Sequence, residues 1–260
     1  MGKTSAKVFD LKGKEVDKVR LPQIFKTPNR PDIIKRAVVT IQSHGFQPQG
    51  RDPMAGKRTT AESRGVGQGI ARVPRLKERG GRAAFAPGTV GGRSAHPPEA
   101  EKKIRKKIPR KEMQLALRSA VAATGNQEIV ASRGHAIADI PDFPLVVVDE
   151  IQGLKKTKDV EEALTNLGVL SDIFRVKESR KIRAGRGKMR GRKMKQAVGP
   201  LLVITKNQGV AEAARNLPGM EVTSVENLNA ELLAPGTHAG RLTVWTNSAL
   251  EKVEKVFGGK

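Results

Sequence analysis

The sequence predicts an α/β fold: a mostly parallel sheet covered by helices on both faces, interrupted by a long extended basic loop. Three observations carry this. Short continuous apolar runs alternate with amphipathic helical segments through the second half of the chain. Residues 45–107 carry almost no core-forming periodicity and are rich in Arg, Lys, Gly and Pro. Helical patterns bracket that stretch on both sides.

The elements follow in order. Residues 8–11 and 16–19 read as short strands around the turn Lys12-Gly13-Lys14. Pro31 opens a helix whose Ile33, Ile34, Ala37, Val38 and Ile41 recur on one face, ending at His44-Gly45. Pro109 opens a second, with Met113, Leu117, Ala120 and Val121 at core spacing and Gly125 at its end. LVVVD (145–149) has the continuous apolar character of a strand buried on both faces. Thr157 is expected to cap a helix carrying Val160, Ala163, Leu164 and Leu167, closed by Gly168. LLVIT (201–205) is a second buried strand, and Asn207 is expected to cap the helix with Val210, Ala214 and Leu217. Residues 221–225 form a third strand, followed by a short helix over 228–233. Residues 242–245 form a fourth, and Asn247 is expected to cap a terminal helix with Leu250, Val253 and Phe257. The organisation is one globular domain over 1–44 and 108–260, a loop inserted at 45–107, and a second basic segment at 174–196.

Charge narrows the function. The 260 residues hold 49 Lys and Arg against 26 Asp and Glu, a formal charge of +23 with a pI near 10.6. Such an excess makes a folded chain repel itself unless a polyanion neutralises it. Nucleic acid fits, because each neutralised phosphate releases a counterion. A membrane surface fits poorly, since no basic segment pairs its cations with a bulky apolar face. Aromatic residues are 3% of the chain, with no Tyr and one Trp, so stacking splayed bases on aromatic platforms is not its mode. Backbone phosphates and shape are. The chain has no Cys, which excludes disulfides and thiolate metal sites. The N-terminus shows no apolar export segment, and MGKTSA is a poor myristoylation signal, so a cytoplasmic location is expected.

The phosphate-gripping candidates are Arg51, Lys57, Arg58, Arg72, Arg75, Arg79, Arg82 and Arg93 in the loop. Arg183, Arg186, Lys188, Arg190, Arg192 and Lys193 join them from the second segment. Arginine suits the task because its planar fork binds phosphate bidentately and stacks on bases.

Catalytic motifs are weak by comparison. Gly65-Val66-Gly67-Gln68-Gly69 resembles a dinucleotide fingerprint, but a fingerprint must follow a strand and open a helix. The stretch from Gly50 to Lys57 has one residue too many for a phosphate-binding loop of the nucleotidases, and Arg58 stands where Ser or Thr should meet magnesium. His44, His96, His135 and His238 are scattered, none at metal-ligand spacing, and each has a turn or helix-end explanation. Asp149-Glu150 sits where α/β enzymes keep acids, but such a pair more often opens a turn or helix. The expectation is no catalytic residue, no metal and no cofactor. A nucleotide-dependent α/β enzyme and a free regulatory RNA-binding protein are the alternatives.

Five segments together resemble one family. RGVGQGIARVPR (64–75), GGRAAFAPGTVGGRSAHPP (80–98), PLVVVDEIQGLKKTKD (144–159), IRAGRGKMRGRK (182–193) and LLAPGTHAGRLTVWTNSALEKVE (232–254) are similar to the L-four family of large-ribosomal-subunit proteins. The resemblance covers nearly the whole chain in order. The insert at 182–193 is similar to the archaeal and eukaryotic branch, and the lack of a long C-terminal extension points to the archaeal type.

The resemblance implies a three-layer α/β/α, Rossmann-like domain on the solvent side of the ribosome, bound to large-subunit rRNA. It implies neighbouring ribosomal proteins as partners and no homo-oligomer. The loop would thread through rRNA, and Arg64, Gly65, Val66, Gly67 and Gln68 at its tip would line the polypeptide exit tunnel near its constriction, beside the nascent chain. Gln68 departs from the basic residue usual there.

The loop's own physics agrees. A there-and-back chain of this length reaches on the order of 100 Å. Ordering it costs about 1–2 kcal/mol per residue of backbone entropy, and its few apolar groups offer little to offset that. Alone, it is expected to be disordered.

Overall fold

The computed structural model describes residues 3–77 and 81–258, so Arg79 lies outside the described residues. The chain divides into two compact units, Met1–Gln42 with Lys107–Lys260, and Ser43–Lys106.

The first unit holds the sheet. β1 (Ser5–Phe9) and β2 (Glu15–Arg20) form an antiparallel hairpin, with β1 starting at Ser5 where the apolar pattern suggests residue 8. α1 (Pro31–His44) and α2 (Arg110–Thr124) follow, then a short α3 (Gln127–Ser132). β3 (Leu145–Val147), α4 (Thr157–Asn166) and α5 (Leu170–Glu178) come next. β4 (Lys181–Ile182) and β5 (Met194–Lys195) pair as a separate small antiparallel ribbon. β6 (Leu201–Ile204), α6 (Val210–Ala214), β7 (Glu221–Ser224), α7 (Ala230–Leu233), β8 (Thr243–Thr246) and α8 (Asn247–Phe257) complete it.

The main sheet runs β2-β1-β3-β8-β6-β7, and every pair except β1 with β2 is parallel. This is the mostly parallel sheet expected. Parallel strands need helical crossovers, which cover both faces. The strands alternate accordingly. Ala6, Val8, Val146, Leu201, Val203 and Trp245 enter one core with α1, α2, α7 and α8. Phe9, Leu145, Val147, Leu202, Ile204 and Val244 enter the other with α4, α5 and α6. The three layers follow from that alternation.

The ends of the helices differ from expectation in informative ways. Asn207 is not the N-cap of α6, which is Gly209, but from two residues before it its side-chain oxygen accepts from the backbone N–H of Gly209 (3.1 Å) and Ala211 (3.2 Å). Thr157 and Asn247 do not cap; they are the first helical residues, after Lys156 and Thr246. The exposed amide at the start of α8 is satisfied from afar, by Asp149, whose Oδ1 accepts from the Ser248 N–H at 3.1 Å. The basic segment at 174–196 also needs correction at its start, because residues 174–178 belong to α5, whose Ile173 and Val176 are buried.

Candidate nucleic-acid interface

The unit Ser43–Lys106 is held by sparse ties. At its root the Lys106 N–H donates to Ser43 Oγ (2.9 Å), and the His44 ring Nε2 meets the Lys106 carbonyl at 2.9 Å. Further out, the Arg51 N–H donates to the Pro98 carbonyl at 3.2 Å. Gly56 then lies against residues 92 and 93 so closely that a Cβ would sit 2.6 Å from the Arg93 backbone nitrogen. Only glycine fits that crossing. Beyond it, Glu62 and Arg75 exchange two backbone hydrogen bonds, at 3.2 and 2.9 Å, and Ser63 Oγ donates to the Arg72 carbonyl at 3.1 Å. Arg75 also bridges to Ala83, so three segments meet there.

The ties at 62 and 75 close off a tip. Arg64, Gly65, Val66, Gly67 and Gln68 are all exposed in it, Val66 at 68%. Gly65, Gly67 and Gly69 have φ of +76°, +81° and +64°, a backbone that side-chain-bearing residues rarely adopt. Glycine is therefore required there by the path of the chain, and a phosphate-binding role is not needed to explain it. Among the described residues, no strand leads directly into the motif and no helix starts directly after it, which removes the dinucleotide-fingerprint reading.

Among the described residues of 43–106, no apolar side chain is buried. The cations divide into two kinds. Some are tied down: Arg58 pairs with Asp52, Arg75 Nη1 donates to the Gly81 carbonyl at 2.9 Å, and the Arg93 guanidinium sits 5.6 Å from the Phe85 ring centre. Lys57, Arg72 and Arg82 are exposed, with no side-chain hydrogen bond or ion pair among the described residues, and Arg51 is exposed beside them. Asp52, under Arg58, has its carboxyl held below the usual range mainly by that hydrogen bond.

In the second segment, Arg183 Nε donates to the Arg192 carbonyl at 3.1 Å and Arg192 Nη1 to the Arg190 carbonyl at 3.3 Å. These bonds fold the turn between β4 and β5 back on itself. Arg186, Lys188, Arg190, Arg192 and Lys193 are exposed on it, Arg183 half-buried. No carboxylate pairs with them among the described residues.

At the carboxyl ends of the parallel strands, where ligands bind in doubly wound sheets, the polar side chains bond to one another. Gln152 Nε2 donates to Asp149 Oδ1 (2.9 Å) and Ser248 Oγ (3.2 Å), while its Oε1 accepts from the Lys206 N–H at 2.9 Å. Ser248 Oγ donates to Asp149 Oδ1 at 2.6 Å and meets Thr205 Oγ1 at 2.8 Å. Asp149 is thus a structural acceptor for a helix start. Among the described residues, no cluster of His, Asp and Glu could hold a metal ion, and no helix is long and apolar enough to cross a membrane.

One group escaped sequence reasoning. His135 is buried, not a turn residue, and its Nδ1 lies 3.0 Å from Asp172 Oδ2. Arg175 donates to the same carboxylate from Nε at 2.8 Å. Nothing in the local sequence joins positions 135, 172 and 175.

The sequence matches the family described as Ribosomal protein L4/L1 over residues 19–256. It is 51% identical over 250 residues to the large ribosomal subunit protein uL4 of Methanosphaera stadtmanae, covering 96% of each chain. It is 51% identical over 246 residues to that of Archaeoglobus fulgidus, covering 95% of this chain and 96% of the relative. With that of Methanopyrus kandleri it shares 48% over 257 residues, covering 97% and 99%. The exposed basic arm and these full-length likenesses lead to one assignment: the chain belongs to the Ribosomal protein L4/L1 family, in its archaeal form.

Proposed function

We propose that this chain is a structural constituent of the large ribosomal subunit, without catalytic chemistry of its own, that binds large-subunit rRNA through phosphate contacts. The observation that carries this is the unit at 43–106, which turns its cations outward and buries no apolar side chain among its described residues. Its sparse ties fall far short of the conformational entropy of ordering it, about 1–2 kcal/mol per residue. Phosphate contacts offset that cost, since each releases a counterion and each arginine offers two parallel donors. Arg51, Lys57, Arg58, Arg72, Arg75, Arg79, Arg82 and Arg93 grip from the arm. Arg183, Arg186, Lys188, Arg190, Arg192 and Lys193 grip from the second segment.

The tip, Arg64 to Gln68, helps to form the wall of the polypeptide exit tunnel near its constriction, beside the nascent chain. Glycines with positive φ keep that wall thin, with Arg64 as its charge. Neighbouring large-subunit proteins complete the partners, in the cytoplasm. The relatives' shared name, large ribosomal subunit protein uL4, supports the assembly.

The test is deletion of residues 46–105, followed by sedimentation with large subunits after a high-salt wash. The deleted chain is expected to be lost from the subunit, and incorporation at full occupancy would defeat the proposal. Replacing Arg186, Lys188, Arg190 and Arg192 with Gln is expected to reduce the slope of log affinity against log salt by about 0.7–0.9 per lost phosphate contact.

A further inference from the structure

A pocket of about 550 Å³ opens in the globular unit, lined among others by Asn29, Ser132, Arg133, His135, Arg175 and His238. No Asp or Glu lines it. The charges around it do not balance. Arg175 is matched by Asp172, bonded at 2.8 and 3.2 Å, and Arg241 by Glu221 at 2.7 Å. Arg133, which repels both, has only carbonyl oxygens: that of Pro235 at 2.8 Å and that of His238. Three guanidiniums therefore face two carboxylates, and the surplus charge sits on the half-buried Arg133. A partly desolvated cation without a counter-ion is costly. Burial pushes the Arg133 guanidinium down to about 10, and the charges of Arg241 and Arg175 add to the effect. The side-chain nitrogens of Asn29 and His238 have no partner among the described residues.

We propose that this pocket binds a phosphate group, with Arg133 as its counter-charge, and that the phosphate belongs to an RNA backbone. A phosphodiester carries the single negative charge the cluster lacks, and its paired oxygens suit donors set in a guanidinium fork. Among the described residues, none from 43–106 and none from 183–193 lines the pocket. Its failure would leave the rRNA-binding role of those segments untouched.

Two of the four histidines report on the pocket: His135 and His238 line it, while His44 and His96 lie in the unit 43–106, which is itself proposed to bind phosphate. Histidine-labelled full-length protein is titrated with inorganic phosphate at constant ionic strength and followed by NMR. Saturating shifts are expected at His135 and His238, and their weakening in Arg133→Gln, with any shifts of His44 and His96 left unchanged, assigns them to the pocket. Arg133→Gln is expected to weaken binding about tenfold or more, the size of one charge-assisted hydrogen bond. Because Arg133 also ties residues 235 and 238, the thermal midpoint of the variant is checked. If it does not fold, the exposed His238→Ala replaces it, with a smaller weakening expected.

A short single-stranded ribo-oligonucleotide forms the second arm. The same two shifts, at lower ligand concentration, support a backbone phosphate. Shifts with inorganic phosphate alone overturn the RNA assignment and leave a site for the free ion. No saturation at His135 and His238, or unchanged affinity there in a folded Arg133→Gln protein, overturns the pocket itself.

Discussion

In the globular unit, β3, β6 and β8 have every side chain buried, whereas between residues 43 and 106 no described apolar side chain is. The two regions belong to one chain and obey opposite economies. The sheet removes apolar surface from water at about 25 cal/mol per Å² and needs nothing from outside. The arm has glycine crossings, a few backbone bonds and cations. The contrast shows that one region carries its stabilisation within its own sequence, whereas the other, on the function proposed above, draws it from an anionic surface.

Trp245→Ala should have the largest effect on stability. The indole is fully buried and meets Phe25 edge-on at 5.9 Å. A loss of about 3–5 kcal/mol is expected in urea denaturation followed by circular dichroism. A loss below about 1 kcal/mol would break the contrast from the globular side.

Asp172→Asn should follow, at about 3 kcal/mol, because it leaves Arg175 and His135 facing a neutral group in a buried site. It also has a pH signature. Burial raises the Asp172 carboxyl, but hydrogen bonds from His135 and Arg175 outweigh it and hold the group below its ordinary range. A depressed carboxyl stabilises the fold above its unfolded-state pKa, near 4, and that contribution disappears as pH falls through the folded value. The parent protein should therefore lose stability below about pH 4 more steeply than the Asn variant. Parallel acid limbs in the two proteins would count against the assignment.

Val66→Ser should have the smallest effect, within about 0.5 kcal/mol in the free protein. Val66 is 68% exposed and sits among glycines. A change above 1 kcal/mol would mean that the arm has an apolar core of its own, and the contrast would need redrawing.

Much of the fold was legible because its signals are local. Continuous runs such as LLVI leave no choice but a strand buried on both faces, and the i, i+3, i+4 apolar spacing of α1 and α2 fixes their inner faces. Missed elements had weak or masked signals. α3 is only six residues, and its start is set by Asn126, whose side chain accepts from the Glu128 N–H. α5 was hidden because its Ile173 and Val176 are interleaved with the first cations of the 174–196 segment. The caps at Thr157 and Asn247 were misread by one residue, since at α8 a distant aspartate does the capping.

The arm was legible as a region from composition, but its pinch points at Gly56 and at Glu62–Arg75 are backbone contacts that no side-chain pattern encodes. The pocket at Arg133 was invisible for a different reason. Arg133, His135, Arg175 and His238 are far apart in sequence and meet only in the fold.

The burial of Trp245 has a further consequence, for spectroscopy. It is the sole tryptophan of a chain without tyrosine, and it lies in the globular core. Intrinsic fluorescence therefore reports on the sheet alone, and the arm is dark. A dye placed at the tip would be read against a silent background, so arm ordering and domain unfolding would appear as separate signals in one cuvette.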